Sequence, residues 1–271
     1  MSATKFHVAA VQMLATDDKA ANLTQAEQLV REAVAQGARV VALPEMFLWR
    51  GDKRDERSFA EPIPGPSSEA MGILAQELGI HLLAGSMLEE ISASDKAYNT
   101  SLLFDPFGHL MAKYRKIHLF DVELENGVSV TESATRAFGE SLVVVQSSLC
   151  PMGLSICYDL RFPELYRLLA QHGAQLIFVP SAFTSYTGQS HWEPLLRARA
   201  IENQVYMIAP DQYGQNAKSF ATYGHSMIID PWGKIIAELA DGPGIIFAEV
   251  DLAYLARVRV KLPALNHRKL F

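Results

Sequence analysis

The segment Asn22–Glu45, NLTQAEQLVREAVAQGARVVALPE, predicts a helix, a tight turn and a buried strand in immediate succession. Apolar side chains recur at three- and four-residue steps over Asn22–Gln36, which is the spacing of one helix face. Gly37 follows, and glycine commonly ends a helix because it accepts a left-handed backbone. The run Arg39–Leu43, apolar after its first residue, is typical of a strand buried on both faces.

The rest of the chain repeats this alternation of apolar runs and amphipathic segments. Further strands are predicted at Phe6–Gln12, His81–Met87, Tyr98–Phe104, Leu110–Lys116, Leu142–Gln146, Gly153–Cys157, Leu176–Pro180, Val205–Pro210, His225–Asp230, Ile235–Glu238 and Ile245–Val250. Further helices are predicted at Pro66–Leu78, Glu164–His172, Trp192–Asn203 and Leu252–Leu262. The turn Asp105–Gly108 predicts that the strands on either side of it pair antiparallel. Together these patterns favour an α/β sandwich with its helices outside.

The chain shows no sign of division into several domains. No linker rich in proline, glycine or serine interrupts it and no segment repeats, so we expect a single domain over residues 1–271. The connection Gly51–Pro66 is charged and then rich in proline. Its length fits a solvated connection and a functional covering loop equally well.

Composition excludes several function classes. Of the 271 residues, 49% are hydrophobic and 20% charged, as in an ordinary globular protein, and the net charge of −6 disfavours nucleic acid as a partner. Two cysteines form no disulfide framework, so we expect a reducing, cytoplasmic location. No apolar run is long enough to predict a membrane span. Motifs for a metal or a nucleotide are also absent, and we expect neither cofactor.

Cys157 lies in the segment Gly153–Glu164, GLSICYDLRFPE, where an apolar run gives way to polar residues. A thiol at the carboxyl end of a strand in an α/β protein would face the crevice in which ligands bind. The position alone fits a buried, inert cysteine at least as well, because free cysteine is among the most buried residue types. Cys150, directly before Pro151, has no such setting and is predicted to be inert.

A reactive thiol needs a base or a cation beside it, because free cysteine has a pKa near 8.5. Among the histidines, His118 is the nearest candidate by context. Glu45 ends a buried strand, where a charge without a partner would be costly. Strand alternation places Tyr114 and Lys116 on one face, although a charged run of this kind also fits a solvated edge. Spacing alone does not show that these side chains meet Cys157.

Three segments taken together resemble the nitrilase (carbon–nitrogen hydrolase) superfamily: ALPE at Ala42–Glu45, YRKIHLF at Tyr114–Phe120 and ICYDLRFPE at Ile156–Glu164. The resemblance runs through essentially the whole chain, and three motifs in this order are far more specific than any one of them. It implies a four-layer α-β-β-α sandwich of a single nitrilase-like domain. It also implies that two protomers pair into a longer sandwich, which is a homodimer.

The same resemblance implies the catalytic residues. The Glu-Lys-Cys triad of the family falls on Glu45, Lys116 and Cys157, and a second glutamate of the site falls on Glu132. Glu45 would act as general base, and Cys157 would form a thioester. Lys116 and the backbone N–H of Tyr158 would stabilise the oxyanion. Glu132 would hold Lys116 and the substrate nitrogen in place.

The resemblance extends to the pocket. Tyr158 is expected to contact substrate, and Phe183 and Thr184 are expected to line the pocket because they follow the strand that ends at Pro180. A substrate that carries carboxylates would need cations, for which the candidates are Arg197, Arg199, Lys218 and Arg161. Arg161 also fits a structural partner of Glu164 or Asp159.

Later segments are similar to the deaminated glutathione amidase branch of the family; they are Ser181–Gly188, His191–Gln204 and Tyr223–Gly233. The expected reaction of a small-molecule amide is then hydrolysis of N-(4-oxoglutaryl)-cysteinylglycine to 2-oxoglutarate and cysteinylglycine. The sister branch, ω-amidase for α-ketoglutaramate and α-ketosuccinamate, is the alternative. A non-catalytic interaction protein on the same fold is a second alternative, which the complete Glu-Lys-Cys set disfavours.

Overall fold

The computed structural model describes residues 5–125, 127–216 and 218–270, in which helices and strands alternate along the chain. Its helices are α1 (Lys19–Ala35), α2 (Glu56–Phe59), α3 (Pro66–Leu78), α4 (Pro163–Gln171), α5 (Ser185–Asn203) and α6 (Leu252–Lys261). Its strands are β1 (Lys5–Gln12), β2 (Val40–Ala42), β3 (His81–Glu90), β4 (Ala97–Phe104), β5 (Leu110–Arg115), β6 (Asp121–Glu123), β7 (Ser129–Thr131), β8 (Arg136–Ala137), β9 (Val144–Gln146), β10 (Pro151–Leu154), β11 (Leu176–Phe178), β12 (Tyr206–Ala209), β13 (Tyr213–Gly214), β14 (Thr222–Tyr223), β15 (Ser226–Ile229), β16 (Ile235–Leu239) and β17 (Gly244–Asp251). Short 3₁₀ turns cover Lys53–Asp55, Glu132–Ala134 and Cys157–Arg161.

Two sheets packed face to face form the centre of the molecule. The first has the strand order β17-β1-β2-β3-β4-β5, with β8 also paired to β4, and the second has the order β16-β15-β12-β11-β10-β9. Helices α1 and α3 pack on the first sheet, and α4 and α5 pack on the second. The predicted α-β-β-α sandwich is therefore confirmed. No helix within the described ranges is both long and apolar enough to cross a membrane.

Strand β1 shows why the sequence folds into these layers. Val8 and Ala10 point between the two sheets, whereas Ala9 and Val11 point towards α1 and α3. All four side chains are fully buried. Because both faces of the strand meet apolar layers, its sequence is a continuous apolar run without polar alternation.

Helix boundaries follow local capping signals. Helix α3 begins and ends as predicted, because Pro66 suits the first helical position and Gly79 adopts a left-handed backbone with a φ of +64°. Helix α5 begins well before the predicted Trp192, because the side chain of Thr184 accepts a hydrogen bond from the N–H of Thr187 and caps the helix there.

Strand predictions were right in type and less accurate at their ends. The pairing of β4 with β5 is antiparallel, as the turn between them predicts. The predicted strand Gly153–Cys157 is wrong at its end, because β10 stops at Leu154. Cys157 lies in a 3₁₀ turn instead.

A close backbone approach at Gly85 of β3 fixes the position of the loop after β2. A Cβ atom built on Gly85 would stand 1.9 Å from the carbonyl oxygen of Pro44 and 2.6 Å from that of Leu43. The pairing of β3 with β4 also shifts register here, between Ala84 and Met87. Because Pro44 immediately precedes Glu45, this approach helps to place the Glu45 carboxylate.

We expect Gly85→Ala to lower the free energy of unfolding by about 3 kcal/mol, because the added methyl group overlaps backbone atoms that cannot move aside easily. Urea unfolding followed by circular dichroism measures the loss. Gly37→Ala is the matched control, since a Cβ there meets no atom within 4 Å, and we expect it to lower stability by only about 1 kcal/mol. Equal losses in the two variants would contradict the steric argument.

Candidate active site

A cavity of about 600 Å³, within the roughly 300–1,000 Å³ range of small-molecule sites, opens between the loops that follow β2, β5, β10 and β11. The four predicted catalytic residues and the three predicted pocket residues all line it: Glu45, Lys116, Glu132, Cys157, Tyr158, Phe183 and Thr184. The structure therefore brings together residues that are far apart in the sequence. Cys150 is buried elsewhere and does not line the cavity.

A buried ion cluster forms the floor of the site. The Lys116 ammonium donates to Glu45 Oε1 at 2.9 Å and to Glu132 Oε2 at 3.0 Å, and Lys116 is 2% exposed. Burial by itself would lower the pKa of Lys116, but the charges of Glu132 and Glu45 outweigh it and raise that pKa above its usual value. Lys116 is therefore a permanent cation of the site.

Three donors hold the Glu45 carboxylate in one orientation. Asn99 Nδ2 donates to Oε1 at 2.8 Å, beside the Lys116 ammonium, and the N–H of Ala182 donates to Oε2 at 2.9 Å. Ala182 follows β11 of the second sheet, whereas Glu45 follows β2 of the first. The carboxylate thus joins the two sheets at the cavity.

Cys157 occupies a strained backbone position. Its φ of +47° lies in the left-handed region, which residues with a Cβ atom rarely adopt. Its N–H donates to Pro180 O at 3.0 Å. On the preceding side, the N–H of Ile156 donates to Asp159 Oδ2 at 2.8 Å. These two bonds hold the sharp turn that places the thiol at the cavity.

Asp159 ties this turn to the strand that carries Lys116. Its carboxylate accepts from Tyr114 Oη at 2.6 Å and lies 2.7 Å from His118 Nδ1. Tyr114 and Lys116 lie on one face, as strand alternation predicts, and both are buried, which rules out a solvated edge for them. The His118 ring stacks on Phe162 with ring centroids 3.6 Å apart. His118 therefore serves this structural contact rather than the thiol, which corrects the sequence-based candidate.

Burial is the main influence on the Cys157 thiol. Burial and the negative charge of Glu45 raise its pKa well above the usual value, and the positive charge of Lys116 acts in the opposite direction. The thiol is consequently protonated near neutral pH. Any nucleophilic reaction of this sulfur requires a base that removes its proton as the new bond forms.

A second layer of charge supports Glu132. The Arg136 guanidinium donates to the Glu132 carboxylate and also donates to Glu56 Oε1 at 2.7 Å. Glu56 belongs to the connection Gly51–Pro66, and several residues of that connection line the cavity. This placement favours the covering-loop interpretation over a solvated connection.

Only two of the four cations predicted to bind substrate carboxylates lie at the cavity. Arg161 and Lys218 line it, whereas Arg197 and Arg199 do not. Arg197 is exposed and pairs with Glu193, because the helical period of α5 turns it outward. Arg199 is buried and donates to the carbonyl of Leu160.

The predicted structural pairing of Arg161 is wrong. Arg161 Nη1 lies 3.1 Å from His191 Nδ1, and its guanidinium lies over the rings of Tyr158 and Phe183. Neither Glu164 nor Asp159 forms an ion pair with it in the part of the chain that the structure describes. Its place beside two aromatic side chains of the cavity makes it available to a ligand.

Sequence reasoning missed two further residues of the site. Arg50 follows the apolar run Met46–Trp49 directly. A charged residue at the end of an apolar run is the same signal that identified Glu45. Asn99 is the single amide of β4, and its buried side chain reaches Glu45. As for metals, no group of three or more His, Cys, Asp or Glu side chains among the described residues is arranged to hold an ion.

Comparisons with known proteins agree with this geometry. The family model "Carbon-nitrogen hydrolase" matches residues 7–260. The chain is 44% identical to a deaminated glutathione amidase of Synechocystis sp., over 96% of this chain and 97% of that protein. It is 42% identical to an omega-amidase NIT2 of Xenopus tropicalis, over 98% and 95% respectively. The crystal structure of Saccharomyces cerevisiae Nit3, a member of branch 10 of the nitrilase superfamily, matches with a TM-score of 0.90 at 35% identity, covering 99% of this chain and 98% of that one.

Glu132→Gln tests the ion cluster. Burial would raise the pKa of Glu132, but Lys116 and Arg136 outweigh it and lower that pKa from 4.5 to about 2. The ionised carboxylate therefore stabilises the fold above pH 4.5, and this stabilisation is lost as the pH falls towards 2. We expect the variant to be less stable than the parent by about 3 kcal/mol at pH 7. The difference should shrink as the pH falls below 4.5.

Urea unfolding at pH 7 and at successively lower pH measures this difference. Glu32→Gln is the matched control, because Glu32 is an exposed residue of α1 that forms no ion pair with any described residue. A stability difference for Glu132→Gln that stays constant over this pH range would show that the Glu132 charge is not the source of the effect.

Proposed function

The chain belongs to the carbon–nitrogen hydrolase family of the nitrilase superfamily, and on that premise we propose that it hydrolyses the amide of deaminated glutathione through a thioester on Cys157. One observation carries the proposal: Glu45, Lys116, Glu132 and Cys157 line one cavity, with the Lys116 ammonium between the two carboxylates. The 44% identity to a deaminated glutathione amidase supports this substrate.

In the first half of the reaction, Cys157 Sγ attacks the amide carbon while Glu45 takes the thiol proton. Lys116 and the backbone N–H of Tyr158 stabilise the oxyanion of the tetrahedral intermediate. Glu45 then gives its proton to the departing nitrogen, and the C–N bond breaks. Cysteinylglycine leaves, and the 4-oxoglutaryl group remains on sulfur as a thioester.

In the second half, water attacks the thioester carbon while Glu45 takes a proton from it. The C–S bond breaks, the proton returns to Cys157, and 2-oxoglutarate leaves. Glu132 keeps Lys116 in position through the 3.0 Å contact, so that the ammonium faces the developing charge in both halves. Phe183 and Thr184 form part of the wall around the bound substrate.

The charge of the cavity supports an anionic substrate. Within the described residues its lining has six cationic side chains (Arg50, Lys53, Lys116, Arg136, Arg161 and Lys218) and four carboxylates (Glu45, Asp52, Glu56 and Glu132). The chain as a whole has a net charge of −6, so this positive excess is local. A local positive excess attracts a ligand that carries carboxylates.

ω-Amidase activity is the second candidate, because the chain is also 42% identical to an omega-amidase. Both substrate classes present a 2-oxo acid on the acyl side, and they differ in the leaving group. Ammonia leaves from α-ketoglutaramate, whereas a dipeptide leaves from deaminated glutathione. A cavity of about 600 Å³ has room for the dipeptide, which favours deaminated glutathione.

The proposal includes a homodimer in a reducing, cytoplasmic setting. Such a setting would keep both cysteines as the free thiols that the structure contains. Large apolar side chains are exposed on α5 and α6, among them Ile201 and Val260, and a second protomer would cover some of them. Light scattering on the purified chain measures the oligomeric state.

We expect Cys157→Ala to abolish amide hydrolysis, because no other described group at the cavity can carry the acyl chain as a thioester. Cys150→Ala is the matched control and should retain parental activity, since this buried thiol lies outside the cavity. Product formation is measured for both variants, and a rapidly quenched mass spectrum should show acyl mass on Cys157 in the Cys150→Ala variant and no acyl adduct in Cys157→Ala. Residual hydrolysis by Cys157→Ala near the parental rate would eliminate the thioester mechanism.

A direct comparison of kcat/KM for deaminated glutathione and α-ketoglutaramate decides between the two activities. We expect the higher value for deaminated glutathione, because the cavity can also hold its dipeptide. Equal or faster turnover of α-ketoglutaramate would make ω-amidase the function. If the protein hydrolysed neither substrate, the result would favour the alternative of a non-catalytic interaction protein on the same fold.

A further inference from the structure

Arg50 is a buried cation that lines the cavity without a carboxylate partner. It is 6% exposed, and the described residues include no carboxylate in an ion pair with it. Its Nη2 donates to Ser219 Oγ at 3.3 Å, and its Nη1 has no acceptor among the described residues. A guanidinium carries five N–H donors, so most of its hydrogen-bonding capacity is unused.

The two most deeply buried cations beside it are fully engaged. Lys116 pairs with Glu45 and Glu132. Arg136 pairs with Glu56 and Glu132. Arg50 thus differs from both: among the described residues no carboxylate forms an ion pair with it, and the charges of Glu45 and Asp211 act on it only from a greater distance.

The backbone and one ring hold Arg50 firmly in place. Its N–H donates to Thr16 O at 2.8 Å, and its carbonyl accepts from Asn216 Nδ2 at 2.9 Å. The guanidinium carbon lies 5.5 Å from the centre of the Phe220 ring. Ser219 and Phe220 line the same cavity, so this fixed guanidinium belongs to its wall.

We propose that Arg50 binds a carboxylate of the amide substrate and so selects anionic over neutral amides. The inference rests on the proposed amidase function and adds a residue that determines specificity. A planar guanidinium matches a carboxylate through two parallel hydrogen bonds, which a lysine cannot form. Burial lowers the pKa of Arg50 to about 10, and the group therefore remains charged near neutral pH.

The carboxylate could belong to the acyl group or to the leaving group, and paired substrates separate the two. The first pair is α-ketoglutaramate and its methyl ester, which differ in the charge of the acyl group. The second pair is deaminated glutathione and its C-terminal carboxamide, which differ in the charge of the leaving group. The measured quantity is the ratio of kcat/KM for the charged member to that for the neutral member.

We expect Arg50→Met to lower this ratio by about 10- to 100-fold in one of the two pairs, since a hydrogen-bonded charge contact is lost. Arg50→Lys should lower it less, because the charge is kept and the planar fork is not. Arg31→Met is the matched control: it removes the same charge from α1, outside the cavity, and should leave both ratios at parental values.

A binding measurement tests the same role if a variant hydrolyses the substrates too slowly for kcat/KM to be measured. In the Cys157→Ala background, calorimetry with 2-oxoglutarate and with cysteinylglycine should show weaker binding of one of them when Arg50 is replaced by Met or Lys. Ratios and affinities unchanged within about threefold would overturn the role of Arg50. If the parent protein hydrolysed neither pair, the proposed function itself would fail, and the inference would fail with it.

Discussion

The Lys116 ammonium between Glu45 and Glu132 is the contact on which the rest of the site depends. All three side chains are almost completely buried, and a buried charge persists only when partners replace the water it has lost. The fold must therefore bring three separate segments together, namely the loop after β2, the end of β5 and the turn that begins at Glu132. The same requirement that stabilises the ion cluster also places a carboxylate and a cation at the cavity.

Cys157 reaches this cluster from the other sheet. The sharp turn after β10 and the Asp159 carboxylate connect it to Tyr114, while Ala182 after β11 donates to Glu45. The groups proposed to react thus lie where the two sheets meet, and a shift of either sheet would move Cys157 away from Glu45. The buried apolar layer between the sheets resists such a shift.

The sequence predicts the layers of the sandwich well, because strands and helices that are buried have apolar residues at characteristic spacings. The apolar residues Val8–Val11 indicate a strand covered on both faces, and alternation along β5 correctly separates Tyr114 and Lys116 from their neighbours. Spacing could not predict that Cys157 meets Lys116, because their strands belong to different sheets and the resemblance alone connected them. The prediction that Arg197 and Arg199 bind substrate carboxylates was wrong, because the rotation of α5 about its axis decides which of its side chains face the cavity.

Arg50 was missed for a related reason. A charge directly after an apolar run indicates burial. The run Met46–Trp49 does not predict, however, whether a carboxylate of the protein pairs with the residue that follows it. Only the structure shows that Lys116 has its anions within the protein and that Arg50 has none in an ion pair among the described residues. A buried cation needs an anion, and this requirement explains the pairing of Lys116 with two carboxylates; it applies equally to Arg50. A buried cation that forms no ion pair within the described residues is best matched by an anion that arrives with the substrate.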